Sequence, residues 1–204
     1  MKQTENKRIT RILKYRKCLL DFKNMGFEKV FSHNLGQEAY VSAEQVRKDF
    51  SFYGIKGNKK GGYAIDTLLN SINVLLRKDM EQPVIIVGIG NIGRALIQYK
   101  GFKKNKINIV AGFDIDPSKQ NKKFVVPVYP NDMIPEIIKM NKVKIAILSV
   151  PEIPAQKACN QLIEAGIEGV LNFTPSILKT PPHVAVKNIN LVNELEGLIY
   201  ISNL

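Results

Sequence analysis

The 204-residue sequence contains no tryptophan, only two cysteines and only two histidines. Cys18 and Cys159 lie far apart in helix-patterned stretches, so a disulfide framework is excluded and two buried free thiols are expected. His33 and His183 have no metal-ligand spacing with each other or with either cysteine, and metal chemistry is set aside. No uncharged apolar run is long enough to cross a bilayer, so no membrane partner is expected. The polar start MKQTENKRITR lacks the apolar core of a signal peptide, and the expected location is cytoplasmic. Acidic residues are also scarce: 18 Asp and Glu stand against 30 Lys and Arg, a net charge of +12. The imbalance is uneven, with 16 basic against 8 acidic residues over 1–80 and 14 against 10 over the remainder. Such an excess suits a segment that meets a polyanion, or a solvated basic face kept for solubility; charge alone leaves both open.

What is present supports two folded units. The length and a 45% hydrophobic content allow one large or two small cores. In ITRILKYRKCLLDFKNMG, Ile9, Ile12, Leu13, Leu19, Leu20 and Phe22 fall near one helical face that ends at Gly26. SHNLGQEAY reads as a short helix capped by Ser32. After a tight turn at Tyr40 and Val41, Ser42 with Gln45 three residues on has the form of a capping box. Val46 and Phe50 would face inward, and Gln45, Arg47 and Lys48 outward. Two short helices across a tight turn, the second with a basic outer face, fit a helix-turn-helix. YGIKGNKKGGYAI then offers glycines for a hairpin and lysines at its tip, the composition of a wing that reaches phosphates or a minor groove. DTLLNSINVLLRKDMEQ closes this unit as an amphipathic helix, with Pro83 as the boundary.

From Val84 short apolar runs, VIIVG, INIVAGFD, KIAILSV and GVLNF, alternate with helical stretches, which implies parallel strands buried on both faces. Gly88, Gly90 and Gly93 form G-x-G-x-x-G between the strand VIIV and the helix RALIQY, the context that makes this motif a dinucleotide-binding turn. The first two glycines permit the turn and a close backbone approach, the third close packing of helix on strand. Asp114 lies 21 residues beyond Gly93, at the end of the next strand, where an acid binds an adenosine ribose 2′-OH. It would repel a 2′-phosphate, which favours NAD(H) over NADP(H); a helix cap at the strand end is the other reading. Asp116, before Pro117, reads as a turn residue. NLVNELEGLIYISNL places Leu191, Leu195, Leu198 and Ile199 on one helical stripe. That stripe either packs back on its own domain or meets a partner subunit.

Hydride transfer to a carbinol would need a general acid/base beside the nicotinamide. Neither histidine follows a strand suitably, no substrate domain remains, and Tyr99 and Lys103 make Y-x-x-x-K too early in the chain for a catalytic pair. The reading is a protein that binds its cofactor without turning it over.

In its order of elements the chain resembles the Rex redox-sensing transcriptional repressors of bacteria over nearly its full length. QVRKDFSFYG is similar to that family's recognition helix, and VGIGNIGRAL and FDIDPSK to its cofactor motifs. AILSVPEIPAQKACNQLIEAGIEGVLNFTP follows its distal Rossmann pattern. The resemblance implies an α/β protein with an N-terminal winged helix-turn-helix domain (1–80), a Rossmann-like parallel-sheet domain (81–188) and a C-terminal dimerisation helix (189–204). It implies a homodimer with that helix swapped onto the partner, bound to a palindromic DNA operator with TTGTGA-type half-sites and released by NADH. Ser42, Gln45, Arg47 and Lys48 would serve the DNA-reading helix, and Lys56, Lys59 and Lys60 the wing. Gly88, Ile89, Gly90, Asn91, Ile92, Gly93, Asp114, Val150 and Pro151 would hold the cofactor, with Tyr99 near the nicotinamide.

Several positions depart from the family. Lys59 stands where an Arg is usual and Lys60 where a Gly is usual. DPSKQNKK replaces the usual Val-Gly after the Lys. An Arg on the first helix and an Asp before the last, which can pair across the dimer, align with Lys17 and Asn190, so that ion pair is missing here. Two other classes remain as alternatives. A small NAD-dependent oxidoreductase would turn over an alcohol or hydroxy acid. A CoA-binding nucleotide module would leave the basic segment and Asp114 unexplained.

Overall fold

The computed structural model describes residues 2–57, 61–121 and 125–203, with side chains from residue 7 onward. The chain divides into two compact units, 1–80 and 81–204.

In the first unit, α1 (Lys2–Asn24) is followed by β1 (Lys29–Val30), α2 (Ser32–Ala39), α3 (Ala43–Phe52), β2 (Tyr63–Ala64) and α4 (Ile65–Leu75). Its core gathers Ile12, Tyr15 and Leu19 from α1, Leu35 from α2, Val46 and Phe50 from α3, and Leu68 and Ile72 from α4. The inward face of α1 runs through positions 12, 15 and 19, so Leu13, one step round the helix, is left 46% exposed. Tyr15 takes the core place expected of Leu13. Helix α2 ends in a left-handed residue, Tyr40 (φ 58°), and the chain then folds so tightly that a Cβ on Gly36 would lie 2.6 Å from the Val41 carbonyl oxygen. That contact makes glycine necessary at the turn between α2 and α3.

Two further expectations for this unit are corrected. Phe31, not Ser32, caps α2, and it does so without a side-chain bond. In the wing segment, β2 pairs antiparallel with β1, and residues 54–57 carry no strand. The hairpin tip with Lys59 and Lys60 lies outside the described residues.

The second unit holds β3 (Gln82–Val87), α5 (Asn91–Gln98), α6 (Lys100–Lys104), β4 (Ile107–Phe113), β5 (Val128–Tyr129) and α7 (Ile134–Asn141). After these come β6 (Ile145–Leu148), α8 (Glu152–Glu164), β7 (Gly169–Asn172), β8 (Ala185–Asn188) and α9 (Leu191–Ser202). The strands form one sheet in the order β5-β4-β3-β6-β7-β8, and every neighbouring pair is parallel. This is the doubly wound, Rossmann-like arrangement expected. Side chains alternate along β3: Ile85 and Val87 pack with Ile134, Ala155 and Leu162, whereas Val84 and Ile86 pack with Leu96 and Ile97. Apolar layers on both faces explain the unbroken apolar strands. Pro83 sits inside β3 and does not precede it. Two strands escaped the sequence reading: β5, two residues long, and β8, formed by the AVKN stretch after the prolines. Cys159 is buried as expected, but Cys18 is only half-buried.

Candidate functional sites: a basic helix and a glycine-turn cleft

Helix α3 begins at Ser42, whose Oγ accepts the Gln45 backbone N–H at 3.1 Å. Only this half of the expected capping box forms, because the Gln45 amide turns along the helix and donates to Asp49 Oδ1 at 2.9 Å. Gln45 is thus half-buried and does not point outward. Asp49 is 1% exposed, and its carboxylate accepts from Arg11 Nε and Nη2 at 2.5 and 2.7 Å and from the Tyr15 hydroxyl at 3.0 Å. Arg8 adds a longer ion pair at 3.6 Å while its guanidinium lies over the Phe52 ring. Burial alone would push the Asp49 carboxyl up, but the bonds from Arg11, Tyr15 and Gln45 outweigh it and hold the group below the usual carboxylate range. Burial, then the bond to Asp49, raises the Tyr15 phenol.

This network fixes α3 against α1 at its inner face and leaves the outer face free. Arg47 and Lys48 are exposed there. Arg47 donates to Ser32 Oγ at 3.0 Å, and Lys48 lies 2.8 Å from Glu44 one turn back, an exposed pair that costs little to exchange for a phosphate. Lys56 is also exposed. The sequence reading missed Asp49. A signal existed: a carboxylate between the core positions Val46 and Phe50, with Arg8, Arg11 and Tyr15 spaced along one face of the first helix.

In the second unit the strand order reverses between β3 and β6, and at their C-terminal ends lies a cleft of about 680 Å³. Gly88, Gly90, Asn91 and Ile92 of the glycine turn, Asp114 and Lys119 after β4, and Val150, Pro151, Phe173 and Pro175 after β6 and β7 line it. Gly88 has φ 95°, and a Cβ there would meet Ser149 O at 2.6 Å. A Cβ on Gly93 would sit 2.1 Å from Gly88 O, so the third glycine lets α5 close on β3. A Cβ on Gly90 meets nothing, so that side is open to a ligand, and α5 starts there without a side-chain cap. An uncapped helix start beside open space fits a pyrophosphate, which its N–H groups and dipole would hold.

Asp114 is 7% exposed and holds the turn itself. Its Oδ2 accepts Ile89 N at 2.8 Å and Lys119 Nζ at 3.3 Å, and its Oδ1 accepts Asp116 N at 2.9 Å. It caps no helix; it ties the end of β4 to the glycine turn and still faces the cleft. Asp116 is the turn residue expected, accepting from Ser118 N and Oγ. Those bonds hold its carboxyl below the usual range. Ser149, which sequence reading missed, donates from Oγ to Gly88 O at 2.8 Å and braces the turn from β6.

Tyr99 is not brought into the cleft. It terminates α5 at the end opposite the glycine turn, 60% exposed, with its ring edge-on to Phe102.

Comparison with known proteins follows the same division. The family described as "Putative DNA-binding protein N-terminus" matches residues 7–51, and the one described as "CoA binding domain" matches 79–176. The chain is 38% identical over 187 residues to the redox-sensing transcriptional repressor Rex of Listeria welshimeri, covering 91% of this chain and 87% of the relative. With the protein of the same name from Shouchella clausii it shares 43% over 176 residues, 86% and 83% of the two chains. The chain belongs to the Rex family.

Solved Rex-family structures agree. The crystal structure of RSP, a Rex-family repressor, superposes with a TM-score of 0.86 at 31% identity, over 96% of this chain and 92% of that one. RSP in complex with β-NAD+ and operator DNA gives 0.90, over 96% and 91%, at the same identity. RSP in complex with β-NADH gives 0.85, over 96% and 92%. The Rex relatives are regulators by name, which points to a regulator here too.

Proposed function

We propose that this chain is a redox-sensing transcriptional repressor that binds a palindromic operator as a homodimer and leaves it when NADH occupies the glycine-turn cleft. The carrying observation is the open space over Gly90 at an uncapped helix start, beside the buried Asp114, in a chain that also presents Arg47 and Lys48 on a helix braced from behind. Residues 1–80 would be the DNA-binding domain, with Ser42 capping the reading helix, Gln45 holding Asp49 and Arg47 and Lys48 at the groove. Lys56 would approach the backbone, joined by Lys59 and Lys60. Residues 81–188 would bind NAD(H), with Gly88 to Gly93 at the pyrophosphate, Asp114 sharing its remaining lone pairs with the ribose, and Val150 and Pro151 on the nicotinamide side. Tyr99, at the end of α5 away from the glycine turn, is left out of this cofactor site.

Residues 189–204 would serve the dimer. Along α9, Leu191, Leu195, Leu198 and Ile199 are all more than half exposed, and a helix swapped onto the partner subunit buries such a face. Asn190 caps α9, accepting from Val192 and Asn193 N–H at 3.1 Å. The residue that stands in place of the family's Asp therefore caps α9 and carries no charge.

Two recognition helices read successive major grooves when about 34 Å apart. NADH need only favour an arrangement in which that distance is wrong, and DNA must then weaken NADH binding by the same factor. The test is fluorescence anisotropy on a labelled duplex with TTGTGA-type half-sites at fixed salt, since phosphate contacts make affinity steeply salt-dependent. Release by NADH and not by NAD+ is the expected result. Specific binding that ignores both would overturn the sensing role, and turnover of an alcohol without operator binding would overturn the repressor reading.

A further inference from the structure

Asn172, the last residue of β7, is fully buried and uses every hydrogen-bonding position of its amide. Oδ1 accepts from Thr174 N at 3.0 Å and Thr174 Oγ1 at 2.7 Å. Nδ2 donates to Ser176 O and to Asn188 Oδ1, each at 2.9 Å. Its backbone carbonyl accepts Ile189 N at 2.8 Å. These partners fall in two groups. Thr174 and Ser176 belong to the loop whose Phe173 and Pro175 line the cleft. Ser176 Oγ also donates to Glu152 O, in the first turn of α8, beside the cleft wall residue Pro151. Asn188 and Ile189 are the last residues before Asn190, the cap from which α9 departs.

We propose that Asn172 is a positioning residue that couples the occupied cleft to the direction of α9. The inference rests on the cleft being the NADH site. An amide with no spare donor or acceptor, in a buried and weakly screened setting, cannot let one partner go without leaving a polar group unpaired. A ligand that draws the Phe173–Ser176 rim inward must therefore carry the amide with it, and Asn188 Oδ1 follows. The far end of that linkage has little to resist it, since the large apolar side chains of α9 are exposed along its length. A helix of 12 residues is about 18 Å long, so a tilt of about 10° at its root moves its tip by about 3 Å. A helix that contacts a second copy of this chain would convert such a shift into a change of dimer geometry.

Asn188→Ala tests this without touching the cleft. Asn188 is exposed, and its loss removes the one side-chain bond between Asn172 and the root of α9. Operator affinity without NADH and NADH affinity without DNA should each stay near the wild-type value. The factor by which NADH weakens operator binding should fall by roughly 2- to 30-fold. Asn188→Asp, which keeps an acceptor for Asn172 Nδ2, should retain the wild-type factor. Three results would overturn the proposal: an unchanged factor in Asn188→Ala, a loss that tracks NADH affinity alone, or an equal loss in Asn188→Asp. A wild-type protein that NADH does not release would overturn the repressor reading, and this inference with it.

Discussion

Replacing Asp49 by Asn isolates what holds the basic helix. The variant keeps the size of the side chain but removes the charge that Arg8 and Arg11 share. It also turns one acceptor into a donor, which faces Arg11 together with either the Tyr15 hydroxyl or the Gln45 amide. Breaking a fully buried pair costs about 3–5 kcal/mol. The Arg11 side chain is 23% exposed and can regain some water, so the expected loss falls just below that range, about 2–3 kcal/mol. For a unit of 80 residues each kcal/mol moves the melting temperature by about 4–8 °C, which puts the shift at about 8–24 °C. Circular dichroism melting of the full chain reads it directly. The pH dependence supplies a second signature. Asp49 is depressed in the fold, so its contribution is complete above the unfolded carboxyl pKa of about 3.9 and is lost as pH falls through the lower folded value. The difference between wild type and variant should be flat from pH 8 to 5 and shrink only in strong acid. A melting shift below about 3 °C at neutral pH, equivalent to less than 1 kcal/mol, would refute the assignment of Asp49 as the anchor of α3. So would a difference that closes between pH 5 and 8.

Other positions give sharper functional separations. Gly90→Ala should fold normally, because its Cβ meets nothing, yet lose NADH affinity by more than tenfold in fluorescence titration; normal affinity would show that the pyrophosphate does not approach there. Gly93→Ala drives a Cβ into Gly88 O and should lower the melting temperature as well as NADH affinity; a stable variant would refute the close packing of α5 on β3. Asp114→Ala should weaken NADH binding and leave operator affinity nearly intact, and a joint loss would assign Asp114 to structure alone. Arg47→Ala should cost the operator complex about 1–3 kcal/mol if it reads a base, or lower the salt slope by about one if it meets a phosphate; unchanged anisotropy would remove it from the interface. Leu195→Glu on α9 should shift the protein toward monomer in sedimentation velocity, and an unchanged mass would exclude that face from the dimer.

Much of this molecule is periodic and local, and that part was legible in the sequence. The glycine spacing, the apolar strand before it, the acid at the end of the next strand and the Ser42 cap each follow from contacts within a few residues or from strand and helix periods. The parallel sheet followed from apolar runs too continuous for a half-exposed strand. What the sequence left open depended on which distant groups meet. Gln45 reads as an outward polar residue and Asp49 goes unassigned until α1 brings Arg11 and Tyr15 across α3, because a charge enters a core only when its partners arrive from another element. Asp114 reads as a free ligand for ribose until the glycine turn is placed above it and draws on the same oxygens. Asn172 is an ordinary strand-end amide in the chain, and only the pairing of β7 with β8 joins the cleft rim to the root of α9. Local propensity and period determined the elements and the motif. Tertiary structure decided which polar groups are spent on holding the protein together and which remain to meet a ligand, since burial and hydrogen-bond satisfaction are properties of the assembled fold.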